Sequence, residues 1–435
     1  MASHLRAPLR AGVTSLLRVP FRVEAVSHCR DFLKITWRDG AKSKFPNIWL
    51  RSSIRDEQFF DAGSCLYRLE KYLAFVSKDS SLLSAEYHEG NDFLKVQWPE
   101  HSTTFDLSWL RAQDTTHHVN IPQVVTWTAD SILDNFFDYS RIVEDMESWM
   151  LCLRKYGVAY MMGVPPNEEG LKGVLHTIGK IRQRYHPTDI IHLIADHKVS
   201  EENDRDAYGF GTHAPHTDHG YYLSPGKVAC LLGSRYNAPV QDTVNFFIDN
   251  VKVIEDIREE DPEAFELLST VPIRAARRRL TVQEECRPSE VAMYQVDTHL
   301  QRPLIYFDEN DGHYKLRFSI KQAGFELSSD KSPSKMLKYY KAYELLRSKV
   351  DDSKYQQRIV VKEGMAALYD NSRVCHGRGP IHQTTQRTIL IADVVDEVWY
   401  SRCRLMLGKK SGLEDRWLFG CSLKVLDLLS DRYEK

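Results

Sequence analysis

The stretch His213-Ala214-Pro215-His216-Thr217-Asp218-His219-Gly220 decides how the chain is interpreted, because it concentrates ligand-type side chains in eight residues. His216 and Asp218 are two positions apart. In a β-strand, side chains at positions i and i+2 leave on the same face, so this imidazole and this carboxylate can reach one metal ion. The stretch therefore predicts a strand that carries two metal ligands.

A third ligand is expected from a distant segment, Leu368-Tyr369-Asp370-Asn371-Ser372-Arg373-Val374-Cys375-His376-Gly377-Arg378, in which His376 follows a strand-like apolar run. Two histidines and one carboxylate on one side of a metal leave three coordination positions open. Non-haem Fe(II) oxygenases use this arrangement to bind a co-substrate and O₂. We therefore predict that His216, Asp218 and His376 are the metal ligands and the catalytic residues of an iron centre.

Histidine is common in this chain, with 17 copies, so an isolated His-x-Asp triplet is a weak signal that also fits surface residues. The stronger signal is Arg387, eleven residues after His376. A 2-oxoacid that chelates iron through its keto end needs its far carboxylate held, and a guanidinium can hold it with two parallel hydrogen bonds. Arg387 is the predicted clamp, and Arg378 and Arg373 are the alternatives.

Composition limits the classes of protein that fit. The 435 residues suffice for two domains, or for one large domain with appendages. A net charge of −2 and a pI near 6.8 give no general attraction to nucleic acid or to an anionic membrane. Eight cysteines without Cys-x-x-Cys pairs argue against a disulfide scaffold, and no apolar run is long enough to span a bilayer. We therefore expect small-molecule partners and O₂.

Residues 1–23 form a distinct N-terminal segment. It carries four arginines, and the first acidic residue of the chain is Glu24. A basic, acid-free and amphipathic leader is typical of a mitochondrial transit peptide, although Pro8 and Pro20 interrupt a continuous helix. The sequence therefore predicts a location in the mitochondrial matrix. A disordered tail on a cytoplasmic protein is the alternative.

Residues 24–115 contain one pattern twice. The first copy reads Phe-Leu-Lys-x-x-Trp at 32–37 and Trp-Leu-Arg at 49–51, and the second reads the same at 93–98 and 109–111. A turn and a phenylalanine separate the two segments in both copies, and all four segments are interpreted as strand-like. We predict a small β-rich N-terminal domain of two similar halves with the aromatic residues in its core.

The remaining chain suggests a larger domain at 130–435, after a polar linker at 112–130. Apolar spacing predicts helices at about 139–155, from 167, from 261 and at 334–350, and a loop at 193–207. Strands are predicted at 156–162, 227–233, 244–249, 303–307, 357–361, 365–369 and 388–395. Many short strands with early and late metal ligands favour a double-stranded β-helix, or jelly roll. The predicted fold class is mainly β with flanking helices (α+β).

Several motifs, taken in order, resemble the γ-butyrobetaine and trimethyllysine hydroxylases, which are taurine-dioxygenase-like Fe(II)/2-oxoglutarate oxygenases. The motifs are Tyr-Gly-Val-Ala at 156–159, His-Thr-Asp at 216–218, Asp-Pro-Glu-Ala-Phe-Glu-Leu-Leu-Ser at 261–269, Asp-Asn-Ser-Arg-Val-Cys-His-Gly-Arg at 370–378, and Arg387. The resemblance covers about residues 30–405. It implies iron on the three predicted ligands, 2-oxoglutarate on Arg387, ascorbate-sensitive turnover and a role in carnitine biosynthesis.

The chain departs from this family in two places. The family's small domain holds a zinc ion with three cysteines and a histidine, but here residues 52–55 read Ser-Ser-Ile-Arg, and only His101 and Cys65 remain as candidates. We therefore predict no structural zinc. Asn245 stands where the family has a hydroxyl that helps to hold 2-oxoglutarate. Its amide can substitute, or Thr243 can serve if the strand bulges.

The family also binds a trimethylammonium group in a cage of aromatic rings, because ring quadrupoles suit a diffuse cation. By resemblance, Tyr208 and Tyr185 occupy cage positions. Asp393 replaces the family's late cage tyrosine, where its charge can favour a cation, and Tyr221 and Tyr222 are candidates for rebuilding a wall. Ordinary half-buried tyrosines are the alternative.

The predicted activity is Fe(II)- and 2-oxoglutarate-dependent hydroxylation of a small amine such as γ-butyrobetaine, with release of succinate and CO₂. Trimethyllysine or an unrelated small molecule is the alternative substrate. An alternative of another class is a barrel that binds a ligand without turnover. The metal triad and Arg387 favour the enzyme, since a chain without catalytic demand need not keep four separated polar residues. A homodimer is left open.

Overall fold

The computed structural model describes residues 22–61, 64, 66–113, 124–182, 189–195, 210–220, 222, 224–238, 243–279, 296–319, 326–327 and 332–411. The described residues fall into two compact units: residues 22–113 and 404–411 belong to the first, and residues 124–403 to the second. Of the predicted leader, only Arg22 and Val23 are among the described residues. Within these ranges, no helix is both long and apolar enough to cross a membrane.

The first unit repeats a pattern of three antiparallel strands followed by a short helix. Its strands are β1 (Val23–His28), β2 (Phe32–Trp37), β3 (Lys42–Pro46), β4 (Phe60–Asp61), β5 (Leu66–Tyr67), β6 (Ser84–Glu86), β7 (Phe93–Gln97) and β8 (Ser102–Asp106), and its helices are α1 (Asn47–Ser52), α2 (Leu69–Val76) and α3 (Leu107–Ala112). The sheet β1-β2-β3 leads into α1, and the sheet β6-β7-β8 leads into α3. The strand-like prediction for the two Trp-Leu-Arg segments is therefore wrong, since both are helical. So short a run has no periodicity that separates helix from strand.

One arginine from each copy ties the two copies together. Arg51 of α1 donates a hydrogen bond to Glu100 in the turn between β7 and β8. Arg111 of α3 donates to Asp39, at 2.8 Å, in the turn between β2 and β3. Both arginines are buried. Each helix therefore ends in a cation that reaches the acidic turn of the other copy.

Aromatic rings reinforce this exchange between the copies. The first arginine lies over Trp98, at 5.7 Å from the ring centre, and the second over Trp37, at 5.1 Å. The equivalent residues Trp49 and Trp109 stack on each other with ring centres 5.3 Å apart and planes 8° apart. The two copies therefore share one core.

The second unit contains the remaining elements. Its strands are β9 (Phe136–Asp138), β10 (Val158–Met162), β11 (Ile191–Ala195), β12 (His213–His216), β13 (Val228–Asn237), β14 (Asn245–Asp249), β15 (Ile273–Arg279), β16 (Val296–Arg302), β17 (Ile305–Asp308), β18 (His313–Leu316), β19 (Glu326–Leu327), β20 (Gln356–Ile359), β21 (Met365–Asp370), β22 (Val374–Arg378) and β23 (Gln386–Val394). Its helices are α4 (Met146–Tyr156), α5 (Glu168–His176), α6 (Asn250–Glu260), α7 (Pro262–Thr270) and α8 (Pro333–Asp351), together with α9 (Asp396–Ser411) as far as Cys403.

Two sheets of this unit face each other. The larger has the order β11-β23-β13-β21-β10-β9, and the smaller has the order β12-β22-β14-β20. Neighbouring strands are antiparallel except β9 and β10. Phe247 of β14 joins the two inner faces, with its ring centre 5.9 Å from that of Tyr160 and 5.7 Å from that of Tyr369. The prediction of a mainly β architecture with flanking helices is confirmed.

β14 is apolar along most of its length because both of its faces are covered. Phe246 and Ile248 pack in one buried cluster with residues of α6, α7 and α8, whereas Phe247 belongs to the cluster between the sheets. This alternation follows the two-residue period of a strand. The helices therefore hold the smaller sheet from behind and leave its other face to the site.

Local boundaries agree with the predictions in part. α7 begins as predicted, with Pro262 in its first turn and Asp261 accepting a hydrogen bond from the N–H of Ala264 at 2.9 Å. The predicted helix at 139–155 begins only at Met146, because Tyr139–Arg141 form a separate 3₁₀ turn. The predicted loop at 193–207 is also corrected, since its first three residues belong to β11. Pairing with β23, which is distant in sequence, orders that strand.

Candidate metal centre

The three predicted metal ligands lie together at one end of the smaller sheet. His216 is the last residue of β12 and pairs across the sheet with His376 of β22. Oδ1 of Asp218 is 3.4 Å from Nε2 of His216, and Oδ2 is 3.6 Å from Nε2 of His376. One ligand atom from each side chain lies within 4.8 Å of the others. This spacing allows all three to contact one ion.

The backbone that brings Asp218 to this place differs from the prediction. β12 ends at His216, so Asp218 lies in a turn and not on a strand face. Between them, the N–H of Thr217 donates to the carbonyl of Phe318 at 2.6 Å, and the Thr217 hydroxyl accepts from the N–H of Phe318 at 2.9 Å. The prediction of one strand carrying both ligands is therefore wrong, although the two side chains are close in space.

Hydrogen bonding and charge prepare these side chains for a cation. Nδ1 of His216 lies 2.8 Å from the carbonyl oxygen of Ala214 and donates to it, so Nε2 is the ring nitrogen that faces Asp218. Burial raises the pKa of Asp218, but His376, His216 and His219 outweigh it and hold this pKa well below its usual range. Imidazole nitrogens with an ionised carboxylate fit a divalent first-row metal such as Fe(II).

A second row of side chains lies on the same face of the smaller sheet, two residues further along β22 and β14. The first row is His216, His376 and Phe247, and the second is His213, Arg378 and Asn245. Arg387 reaches the second row from β23 of the opposite sheet, where its Nη2 donates to Oδ1 of Asn245 at 2.7 Å. Both side chains are buried. Two residues of a strand span about 7 Å, which is the approximate separation of the two rows.

The two alternative arginines have other contacts. Arg373 pairs with Asp249 at 3.3 Å and donates to three backbone carbonyls, two of them in the last turn of α4, so it ties the end of β14 to that helix and does not line the site. Arg378 donates to the carbonyls of Gly211 and Gly379. Thr243, the alternative to Asn245, is buried and has a φ of 65°, so the backbone before β14 departs from strand geometry.

Two of the five predicted substrate contacts, Tyr222 and Asp393, are among the described residues. Tyr208, Tyr185 and Tyr221 lie outside the described residues. The ring of Tyr222 is 5.5 Å from the ring of His219 and 5.8 Å from the guanidinium of Arg182, measured between centres. Tyr222 is therefore next to the turn that carries the carboxylate ligand.

The structure corrects the prediction for Asp393. Its carboxylate is buried and held by Arg182, with Nε to Oδ1 at 2.5 Å and Nη2 to Oδ2 at 3.0 Å. Burial lowers the pKa of Arg182, but its pairing with Asp393 raises this pKa above the ordinary value. The guanidinium offsets the negative charge of Asp393, so this carboxylate does not offer a net charge to a substrate cation.

His101, the candidate zinc ligand that the structure describes, does not form a metal cluster with other described residues. His101 lies with Nδ1 2.8 Å from Nε2 of Gln58 and Nε2 3.4 Å from Oδ2 of Asp56. Cys65 is outside the described residues. In the part of the chain that the structure describes, the group of His216, Asp218 and His376 is the one that could hold a metal. The absence of zinc stays a prediction.

A second group of buried charges lies beside the turn between β21 and β22. This lysine–aspartate cluster consists of Lys227, Lys315, Asp308, Asp311 and Asp370. Nζ of Lys227 is 2.7 Å from Asp370 and 2.8 Å from Asp311, and Nζ of Lys315 is 2.8 Å from Asp308. Burial opposes ionisation, but the two lysines hold the pKa of Asp370 and of Asp311 below the usual range.

Two residues near the ligands were not singled out from the sequence. The hydroxyl of Tyr369 lies 3.3 Å from Nε2 of His376. The side chain of Asn371 accepts a hydrogen bond from the backbone N–H of Asp218, 153 positions away. Both residues stand in the segment that precedes His376, so their types were visible. Their contacts depend on the meeting of distant segments, which no local pattern shows.

Comparison with known proteins gives concordant results. The model of the family described as taurine catabolism dioxygenase TauD, TfdA family matches residues 128–392. Gamma-butyrobetaine dioxygenase of Pseudomonas sp. (strain AK-1) is 23% identical, covering 80% of this chain and 86% of that protein. Trimethyllysine dioxygenase of Meyerozyma guilliermondii is 22% identical, covering 92% and 100%. The mitochondrial trimethyllysine dioxygenase of Bos taurus is 21% identical, covering 77% and 76%.

Proposed function

This chain belongs to the TauD/TfdA family of dioxygenases, and on that premise we propose that it hydroxylates a small amine such as γ-butyrobetaine, using Fe(II) and 2-oxoglutarate and releasing succinate and CO₂. The observation that carries the proposal is the meeting of the side chains of His216, Asp218 and His376, with the Arg387–Asn245 pair in the next row of the smaller sheet. A metal site beside a buried guanidinium suits a co-substrate that has a chelating end and a carboxylate end.

Each residue has a separate task in this proposal. His216, Asp218 and His376 would hold the metal and leave positions open for the co-substrate and O₂. When bound, Fe(II) supplies the activation of O₂ that is coupled to decarboxylation of 2-oxoglutarate, and ascorbate keeps it reduced. Arg387 binds the far carboxylate, with Asn245 orienting the guanidinium and Thr243 close in sequence. The apolar rings of Phe247 and Tyr160 exclude water from the inner face.

The proposed substrate class is a small amine. The similarity to the bacterial gamma-butyrobetaine dioxygenase supports γ-butyrobetaine, and the similarity to the Meyerozyma trimethyllysine dioxygenase supports trimethyllysine. Because Asp393 is paired with Arg182, recognition of the cation is assigned to the tyrosines, with Tyr222 beside the Asp218 turn and the others in segments next to it in sequence. Ring faces bind a cation without offering a hydrogen bond, as a methylated ammonium requires.

Architecture and location complete the proposal. We take the two facing sheets as a double-stranded β-helix, with residues 24–115 as a β-rich N-terminal domain without zinc and residues 130–435 as the oxygenase domain. A mitochondrial location is supported by the arginine-rich, acid-free composition of residues 1–23 and by the similarity to the mitochondrial trimethyllysine dioxygenase of Bos taurus.

Succinate release tests the function directly. The full chain, supplied with Fe(II), ascorbate and 2-oxoglutarate, is screened over γ-butyrobetaine, trimethyllysine and their less methylated analogues, with His376→Ala as the inactive control. We expect substrate-stimulated succinate with one methylated amine. If an uncharged acid stimulates turnover and no amine does, the substrate class is wrong. If the wild type releases no succinate with any compound, the protein is a barrel that binds a ligand without turnover, and the proposed enzymatic function is wrong.

A further inference from the structure

Asp218 lies outside the strands, so strand pairing does not fix the orientation of its carboxylate. β12 stops at His216, so Asp218 is attached to a turn, and among the described residues no strand pairing includes Asp218 itself. His219, the next residue, has a φ of 57°, which turns the chain away from the sheet. A metal ligand needs a fixed orientation, because misplacement of a donor atom weakens the site.

The side chain of Asn371 supplies the missing support. Its Oδ1 accepts from the N–H of Asp218 at 2.7 Å, and its Nδ2 donates to the carbonyl of the same residue at 3.0 Å. Nδ2 also donates to the carbonyl of Gly226 at 3.1 Å. The amide thus pairs with both backbone groups of Asp218, as a neighbouring strand would.

Asn371 is itself held rigidly. It is 2% exposed, and its N–H donates to the carbonyl of Lys227 at 2.8 Å. The preceding residue, Asp370, accepts from the N–H groups of Ser372 and Arg373 at 3.0 and 3.2 Å and so fixes the turn. The same turn leads into β22 and therefore into His376. One rigid turn contacts the carboxylate ligand and carries the chain to an imidazole ligand.

We propose that Asn371 is a positioning residue that sets the direction of the Asp218 carboxylate towards His216 and His376. It does not touch the metal. Removing its amide frees the Asp218 turn, so the metal loses a prearranged ligand. Outer residues that orient metal ligands typically contribute about 10–100-fold in metal affinity. The inference rests on the metal site of the proposed function, but its test does not use turnover.

The first measurement is metal affinity. The full-length apoprotein is titrated with Mn²⁺, and the free ion is followed by electron paramagnetic resonance for the wild type, Asn371→Ala and Asn250→Ala. Asn250 is the matched control, because it is a buried asparagine whose Nδ2 donates to Ser372 in the same turn at 3.3 Å. We expect Asn371→Ala to weaken binding by about 10–100-fold. Asn250→Ala should leave the affinity unchanged, even where it lowers the melting temperature.

The second measurement is the visible absorption spectrum of bound Co²⁺, which reports the geometry of its ligands. Asn371→Asp is isosteric and loses both Nδ2 donations. Because the added charge itself changes cation affinity, this variant is judged by its spectrum at saturating Co²⁺. We expect an altered spectrum for Asn371→Asp and a wild-type spectrum for Asn250→Ala. The aspartate variant also decides the matter if Asn371→Ala does not fold.

The failures can be told apart. Equal affinities and identical spectra in the asparagine variants and the wild type would overturn the role of Asn371 and leave the metal site intact. Equal losses in the Asn371 and Asn250 variants would also overturn it, since both would then act only through stability. A wild-type protein that binds neither Mn²⁺ nor Co²⁺ would overturn the proposed function itself.

Discussion

Two clusters of buried polar side chains lie next to each other in the second unit, and they differ in how their charges are balanced. The lysine–aspartate cluster combines two ammonium groups with three carboxylates at distances near 2.8 Å. The metal triad combines one carboxylate with two imidazoles. The first cluster carries its own cations, whereas the second is a set of donor atoms to which a cation can be added.

Consecutive residues connect the two clusters. Asp370 belongs to the lysine–aspartate cluster, and Asn371 bonds the backbone of Asp218. This difference shows that buried ion pairs can fix a segment of backbone, while the metal-ligand atoms that the segment positions stay accessible to a cation. We expect damage to the first cluster to appear as lost stability, and damage to the second as lost binding. The following predictions test this division.

The largest effect on stability is expected from Lys227→Met. The variant leaves Asp370 and Asp311 buried beside one lysine, and breaking a buried ion pair typically costs about 3–5 kcal/mol. Urea denaturation measures the free energy of unfolding. Lys338→Met is the control, because the Lys338–Glu263 pair is more than half exposed and should contribute less than about 1 kcal/mol. Equal losses in both variants would show that the cluster is no more than a surface network.

Arg387→Ala should weaken co-substrate binding with little effect on the metal. Removing one partner of a buried charge pair typically costs about 2–5 kcal/mol, so the 2-oxoglutarate requirement should rise more than about tenfold. Half-saturation by 2-oxoglutarate and Mn²⁺ affinity are measured together. Arg235→Ala, an exposed arginine on β13 that donates to Gln386, is the control. An unchanged requirement would point to Arg378 as the clamp.

The surroundings of the lysine–aspartate cluster should make stability depend on mild acidity. Burial, followed by the charge of Lys315, lowers the pKa of His313 from 6.5 to about 4. Between these values the unfolded chain binds a proton that the folded chain rejects, so the free energy of unfolding falls as the pH decreases from 6.5 to 4. The loss should approach about 3 kcal/mol.

The variant His313→Gln removes the titration and should flatten this part of the stability curve. The aspartates of the cluster, whose pKa values are lowered, lose their contribution only below the ordinary aspartate range. Acid denaturation of the two proteins separates these windows. A slope that is the same in His313→Gln would assign the loss to other groups.

The smallest effect on stability is expected from Asp218→Ala in the apoprotein. Its carboxylate is partly exposed and contacts imidazoles, so its removal should change the free energy of unfolding by less than about 1 kcal/mol. Binding of Mn²⁺ should nevertheless be lost. A destabilisation as large as that of Lys227→Met would mean that the triad serves the fold and not a ligand.

Many of the strands could be predicted from the sequence because their burial leaves a visible pattern of apolar residues. Strands such as β14 and β21 are buried on both faces, so each appears as a short apolar run whose limits can be located within a few residues. The candidate metal ligands could be singled out because His-x-Asp and His376 carry ligand-type side chains, and the structure brings these two distant segments together. Helix α6 was missed because it begins at the end of an apolar strand, where Asp249 is its N-cap and no polar gap marks the change.

Contacts between distant segments could not be predicted in this way. Asp393 was interpreted from its position relative to Arg387, but its partner Arg182 is 211 residues away. The support of Asp218 by Asn371 is of the same kind, as it joins two turns and not two strands. A side-chain pairing depends on where the folded backbone places both partners, and local spacing contains no record of that placement.

Arg51 and Arg111, which each bind an acid of the other copy, have a consequence for how the first unit assembles. The acid bound by Arg51 lies in the second copy, and the acid bound by Arg111 lies in the first. Each half therefore carries an arginine whose carboxylate partner lies on the other half. The same two arginine–carboxylate pairs would form equally well between the first half of one molecule and the second half of another. The geometry of this unit thus permits exchange of halves between molecules, and the connection over residues 53–83, which contains β4, β5 and α2, determines whether the halves pair within one chain.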